Sequence, residues 1–320
     1  MNKQLTTKSE FSPYSNLTPK EYLGLVQTVN INSTSYLKDF FSGLPFPSSS
    51  MCLVTTGSDG KLERHTQSKT ELIVIENSQY DGISLDLVDY IGNDEFRRLF
   101  VTRDGLPETK SLDSEVPISY VFRDGNTIYP DRILNSTSVF GDQELFDQVR
   151  LATIREMSGD SRLSKHIRGH MEDQLRNYKK SMQTGVVRGM PVFDVKNGVQ
   201  FYNETDIPKL DQYGFKLAFL RAVQRKLDLI TANSIKEEKL SKEIVQTFPT
   251  STQRRLDFLV KFGKISDFMA DEVTIAYAWF LQQYHAGQQI FKDTQEPVIL
   301  PFDKQPFMKH ARVIESFTRC

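Results

Sequence analysis

Cysteine is almost missing from this chain: of 320 residues only Cys52 and Cys320 carry a thiol. That excludes a disulfide framework as the basis of the fold and fits a reducing compartment, with Cys52 expected as a small core residue. Long apolar runs are missing too. No stretch approaches the length needed to cross a bilayer, and the polar segment Asn2 to Glu10 lacks the apolar core of a secretory signal, so a cytoplasmic protein with no membrane partner is expected. Neither sign of charge is in excess. Forty basic residues face 41 acidic ones, a net charge of -1, which gives no basis for non-specific attraction to nucleic acid or to a lipid surface. Any partner must be recognised locally.

What the chain does have is one dense stretch of chemistry, Gly57-Ser58-Asp59-Gly60-Lys61-Leu62-Glu63, followed by Ser68-Lys69-Thr70-Glu71. The apolar run Met51 to Val54 enters it and Leu72 to Ile75 leaves it, so a glycine-serine turn is predicted between two buried strands, Met51 to Thr55 and Glu71 to Glu76. Glycine lets the backbone approach an anion closely, serine adds a hydroxyl donor, and the turn amides can point at phosphate oxygens. The bland alternative is a glycine turn with an exposed charged loop. Two sharper rivals fail on spacing. A P-loop needs G-x-x-x-x-G-K-[ST], and here the two glycines are too close and Leu62 stands where a hydroxyl is required. A hydrolase elbow needs G-x-S-x-G, and Ser58 directly follows its glycine.

Around this stretch the sequence predicts an arm over residues 1–17, then a mixed α/β region over 18–142. A helix opens at Thr18-Pro19-Lys20-Glu21 as a capping box, with Tyr22, Leu25, Val26 and Val29 spaced for one buried face. A second short helix is expected over Ser35 to Phe41. Further on, Ile83 to Val88 reads as a strand, Asn93 to Val101 as a short helix and Val116 to Phe122 as a strand. Beyond Gln143 the periods lengthen. Helices are predicted near Gln143–Met157, Ser161–Met182, Ile207–Ala232, Lys236–Phe248, Ser251–Phe262, Ala270–Lys292 and Phe307–Phe317, a helical bundle over 143–320. The fold class expected is therefore α+β, a mixed sheet with helices followed by an all-helical domain.

Several motifs in their order resemble the nucleotidyltransferase superfamily, in the branch of glutamine synthetase adenylyltransferases and uridylyltransferases of nitrogen-signalling proteins. In that branch a G-S/G-x-G-R-x-E turn precedes a D-x-D pair that opens the next strand. Gly57, Ser58, Gly60 and Glu63 match, Lys61 stands for the arginine, Glu71 matches the second acid, and Lys69 replaces the first. The segment Ile133 to Thr137 with Gly141-Asp142-Gln143-Glu144-Leu145-Phe146 is similar to the L-L-D-x-R and G-D-x-x-L-F signatures, with Asn135 and Thr137 departing. Its plain reading is a loop before a helix capped by Asp142. Phe193 to Gly198 resembles the D-[IVL]-K-x-G segment. Tyr277, Phe280, His285 and Gln288 resemble a run in the terminal bundle. The similarity spans roughly residues 50 to 292. It implies a nucleotidyltransferase-like sheet, Gly57, Ser58 and Lys61 as nucleotide contacts, and Glu71 as a catalytic acid that holds Mg2+ beside a nucleoside triphosphate. Asp86, on the strand expected next, is the candidate further catalytic and metal-holding acid, its plain reading being a solvated strand acid, and Lys69 can contact a phosphate as a point charge.

Lys69 decides how far this goes. Nucleotidyl transfer places magnesium between carboxylates and the triphosphate. An ammonium in the place of a carboxylate turns attraction into repulsion, roughly 4 kcal/mol per unit charge pair at ~4 Å and an effective dielectric near 20, enough to cost most two-metal binding. Two functions follow. One is a relative with impaired catalysis that binds nucleotide or a partner protein. The alternative is an active magnesium-dependent adenylyl- or uridylyltransferase acting on a protein or small molecule. The metal argument favours the first.

Other chemistry is thin. His166 and His170 have a zinc-compatible spacing without the glutamate of H-E-x-x-H, so a solvated or capping pair is expected. The basic run from Arg162 to Arg188 is interrupted by Glu172 and Asp173 and carries no aromatic interleaving for nucleic acid.

Overall fold

Met51 to Thr56 forms β1, and all six of its residues are buried. A strand that is apolar without alternation must be covered on both faces, and the computed structural model shows that cover. It describes residues 16–43, 48–49, 51–64, 71–76, 108–113, 130–187, 190–191, 193–194, 199–200, 216–236, 248–294, 300–301 and 304–319. Strand β1 lies inside a four-stranded sheet with β2 (Glu71–Glu76), β3 (Glu108–Asp113) and β4 (Thr137–Gly141), in the order β3-β2-β1-β4. It runs antiparallel to β2 and to β4, whereas β2 and β3 are parallel, so the sheet is mixed. Cys52 pairs with Ile75, Leu53 with Val74 and Val54 with Ile73.

Period-two alternation sorts these side chains onto two faces. Met51, Leu53, Leu72 and Val74 pack with Val139 and with Leu37 and Phe41 of helix α1 (Pro19–Ser42). Cys52, Val54, Ile73 and Ile75 pack with Ile133 of α3 (Pro130–Leu134; α2 is the single turn Gly57–Gly60) and with Leu145, Phe146 and Val149 of α4 (Gln143–Ser158). The expected role of Cys52 is borne out. It is fully buried, and burial first, then the charges of Asp142 and Asp147, push its thiol up to about 12 despite the Ser138 hydroxyl at 3.5 Å.

The capping box at the start of α1 forms as expected: the Thr18 amide donates to Glu21 Oε2 at 2.8 Å, and the Glu21 amide donates to Thr18 Oγ1 at 3.4 Å. The Thr18 amide first, then the Thr18 hydroxyl, which donates to the same oxygen at 2.8 Å, hold the Glu21 carboxyl below its usual range. Two helices were expected here and one is found. Asn30 to Thr34 are poor helix formers, yet Asn30 Nδ2 donates to the Val26 carbonyl and Thr34 Oγ1 to the Asn30 carbonyl, so their side chains bond along the helix instead of ending it. The buried face is also rotated from the expected one. Tyr22, Leu23, Val26, Leu37 and Phe41 are buried, while Leu25 and Val29 are exposed.

The chain resolves into two compact units that do not divide at 142. The first holds residues 26–168 and 231–255, the second 1–25, 169–230 and 256–320. Helix α4 belongs to the sheet's unit because Leu145, Phe146 and Val149 complete one face of its core. Its start follows from two residues. Gly141 has φ +88, and a Cβ there would lie 2.0 Å from the Met51 carbonyl oxygen; Asp142 caps α4 by accepting from the Glu144 and Leu145 amides.

The second unit is helical with short two-residue strands. Helix α5 (Arg162–Thr184) enters it at residue 169, and a π-helical turn (Lys216–Leu220) leads into α6 (Arg221–Lys236), which belongs to the first unit from residue 231. Helix α7 (Thr252–Lys261) starts in the first unit and joins the second at residue 256, and α8 (Asp267–Thr294) and α9 (Lys304–Arg319) follow. Val273, Ala276, Tyr277, Phe280, Leu281 and Tyr284 are buried on α8 as their spacing predicts. Phe219 stacks on Phe280 with centroids 3.8 Å apart, and Phe307 meets both edge-on. The Tyr22 hydroxyl and His285 Nδ1 share a buried hydrogen bond of 2.7 Å. At coarse level the α+β class holds. The elements expected over Ile83–Val88, Asn93–Val101, Val116–Phe122 and most of Lys236–Phe248 lie outside the described residues.

Candidate functional site

The stretch after β1 is a closed loop with little freedom. Gly57 has φ +67, a left-handed conformation that favours glycine, and the single helical turn Gly57–Gly60 follows. Gly60 is fixed by close approach: a Cβ there would sit 2.0 Å from the Asn135 carbonyl oxygen and 2.8 Å from that of Thr55. Leu62 has φ +58, rare for a residue with a branched side chain, and it is buried. What holds it there is on both sides: the Glu63 amide donates to the Ser58 carbonyl at 2.9 Å, and the Leu62 side chain is 8% exposed.

Hydroxyls tie the floor of the loop to its neighbours. Thr137 Oγ1 donates to the Gly60 carbonyl at 3.0 Å, Thr56 Oγ1 to the Arg132 carbonyl at 3.0 Å, and Ser136 Oγ to the same carbonyl at 2.6 Å. Asn135 and Thr137, which depart from the family-like signature, thus both meet the Gly60 backbone.

The sequence-predicted residues do not share one environment. Gly57 and Ser58 are half-buried at the end of the central strand. Glu71 opens β2 directly opposite Thr56, so its backbone stands at the same end of the sheet as the turn. Lys61 is buried, 4% exposed, within the loop. Lys69 and Asp86 lie outside the described residues. His166 and His170 are exposed, and His170 Nε2 is 2.8 Å from Gln174 Nε2. Among the described residues no group of three His, Cys, Asp or Glu could hold a metal ion, and no helix is long and apolar enough to cross a membrane.

Sequence reasoning missed the frame around the loop. Asn30 of α1 accepts from the Arg64 amide and donates to the Arg64 carbonyl, both at 3.0 Å. Glu63, 3% exposed, accepts from the Thr252 amide at 3.2 Å. A buried arginine pair stands nearby in the chain's contacts. The Arg150 guanidinium lies 5.3 Å from the Phe146 ring and 5.4 Å from that of Phe248, whose other neighbour is the Arg255 guanidinium at 5.1 Å. Burial first, then the Arg255 charge, brings Arg150 down to about 10, while Asp147 acts the other way. Arg150 Nη2 donates to the Phe248 carbonyl, Arg255 Nε to that of Pro249 and Arg255 Nη2 to that of Leu134. The available signal was an arginine inside an apolar helical stripe, as at Arg150 between Phe146 and Ile154.

Chemically, the loop offers backbone amides, one half-buried serine hydroxyl and a neighbouring acid position at Glu71. No family model matches the chain, and no curated protein matches it.

Proposed function

We propose that this is a nucleotidyltransferase-like protein whose Gly57–Ser58 turn holds the phosphates of a nucleoside triphosphate, with catalysis impaired. The observation that carries this is the turn itself. A left-handed Gly57 closes the central strand, Gly60 is wedged under the Asn135 carbonyl, and Glu71 begins the adjacent strand at the same sheet end. Such a loop keeps its amides in one arrangement before a ligand arrives, so little ordering entropy remains to be lost on binding. Glu71 and Asp86 are the acids that would hold Mg2+, which when bound would supply positive charge against that building on the leaving pyrophosphate. Lys69, two residues before Glu71, supplies a competing positive charge as a direct phosphate contact instead. A partner protein that reads the nucleotide-bound form belongs to the same reading.

Calorimetric titration with ATP and UTP, with and without magnesium, tests this alongside a labelled-nucleotide transfer assay. The wild type should bind with little dependence on magnesium and transfer nothing. Ser58→Ala should weaken binding, and Lys69→Asp should make it magnesium-dependent. Strong magnesium-dependent transfer by the wild type would overturn the impairment and leave the active transferase. Absence of binding to either nucleotide would overturn the site.

A further inference from the structure

We infer that Glu63 is a positioning residue of the nucleotide turn, and that through it binding at Gly57–Ser58 is coupled to order in the first turn of α7. The inference rests on the nucleotide reading above.

One residue joins the two segments. The Glu63 amide closes the loop on the Ser58 carbonyl at 2.9 Å, and its buried carboxyl group accepts from the Thr252 amide at 3.2 Å. Thr252 is the first residue of α7, and a helix leaves its first amides without partners inside the helix. Ser251 already caps this end, its Oγ accepting from the Arg254 amide at 3.3 Å. Glu63 therefore takes the amide that the ordinary cap leaves over, where a helix N-terminus favours an acidic group.

A second path closes the circuit. Arg255, one turn along, is 2% exposed and donates to the Leu134 carbonyl at 3.1 Å. The next residue, Asn135, presents the carbonyl oxygen under which Gly60 is wedged. The start of α7 thus grips the turn at the Glu63 end and at its floor. A shift of Thr252 moves Glu63 and with it Ser58, so a ligand that fixes Ser58 must also favour the ordered first turn of α7. That coupling is reciprocal.

Two substitutions separate position from packing. Glu63→Gln keeps a side-chain carbonyl to accept the amide, whereas Glu63→Met keeps the bulk and removes the acceptor. Thr252→Pro removes the donor and leaves Glu63 itself unchanged. Proline suits the first position of a helix, and the Thr252 hydroxyl it replaces is buried without a hydrogen-bond partner. The readouts are ATP affinity, with UTP in parallel, and hydrogen exchange at residues 252–255 with and without ATP. In the wild type and Glu63→Gln, ATP should slow exchange there and affinities should agree within about twofold. Glu63→Met and Thr252→Pro should each lose about tenfold in affinity, the scale of one buried hydrogen bond, and lose the ATP effect on exchange. Thr252→Pro keeps the test valid if Glu63→Met does not fold. Wild-type affinity together with ATP-induced protection in Thr252→Pro would overturn the coupling while leaving the nucleotide site standing. A wild type that binds neither nucleotide would overturn both.

Discussion

Asn30 and Arg64 are joined as two residues of adjacent strands would be, except that one side of the pair is a side chain. Asn30 Oδ1 accepts from the Arg64 amide and Asn30 Nδ2 donates to the Arg64 carbonyl, both at 3.0 Å, from a position 3% exposed on α1. A loop backbone with no strand beside it thereby has both its polar groups satisfied next to the core. Replacing Asn30 with alanine leaves those two groups and the space they faced without a partner. The expected cost is about 2 kcal/mol of unfolding free energy, read as a lower urea midpoint with an unchanged denaturant slope.

Two glycines make opposite predictions under the same substitution. Gly60→Ala would set a Cβ 2.0 Å from the Asn135 carbonyl oxygen and 2.8 Å from that of Thr55, backbone atoms that cannot rotate away. The expected loss exceeds about 3 kcal/mol, at the severe end for one methyl group. Gly169→Ala meets nothing within 4 Å, inside α5. There alanine removes the entropic cost of a helical glycine, and the melting temperature should rise by an amount corresponding to about 0.5–1 kcal/mol. Thermal unfolding of the two variants beside the wild type checks both signs.

How much of this was readable depended on how local the cause was. The two central strands were legible because burial on both faces leaves an uninterrupted apolar run, and β2 falls on Glu71–Glu76 as predicted. The capping box at Thr18 and the cap at Asp142 were legible because each is settled within three or four residues. The break expected inside α1 was wrong for the opposite reason: Asn30 weakens a helix in isolation, and the Arg64 backbone, 34 positions away, holds its side-chain amide at both the oxygen and the nitrogen. The division near 142 followed from the change in periodicity, yet α4 packs on the sheet through Leu145, Phe146 and Val149, a contact that periodicity alone does not assign. At the candidate site, Gly57 and Gly60 were marked by composition, whereas the partner of Glu63 is the amide of Thr252, 189 positions later. A backbone donor leaves no trace in the sequence.

His310 supplies a pH test that bears on the second unit alone. Its ring stacks on Trp279 with centroids 5.3 Å apart and an interplanar angle of 30°, and it is 7% exposed. Burial first, then the charge of Lys309, lowers it from 6.5 to about 4, so the folded protein keeps the imidazole neutral where the unfolded chain would protonate it. Between those two values the unfolded state binds more protons, and stability must rise with pH across that window. The contribution is fully present above about pH 6.5 and is lost as the pH falls toward 4. His310→Phe, which keeps the stacking and cannot titrate, should flatten this part of the stability profile measured by urea unfolding. Trp279 is the only tryptophan, so its fluorescence reports the same event in the folded protein. Emission should change with a midpoint near 4 in the wild type and stay level in the variant, and a wild-type midpoint near 6.5 would mean that the ring is open to water.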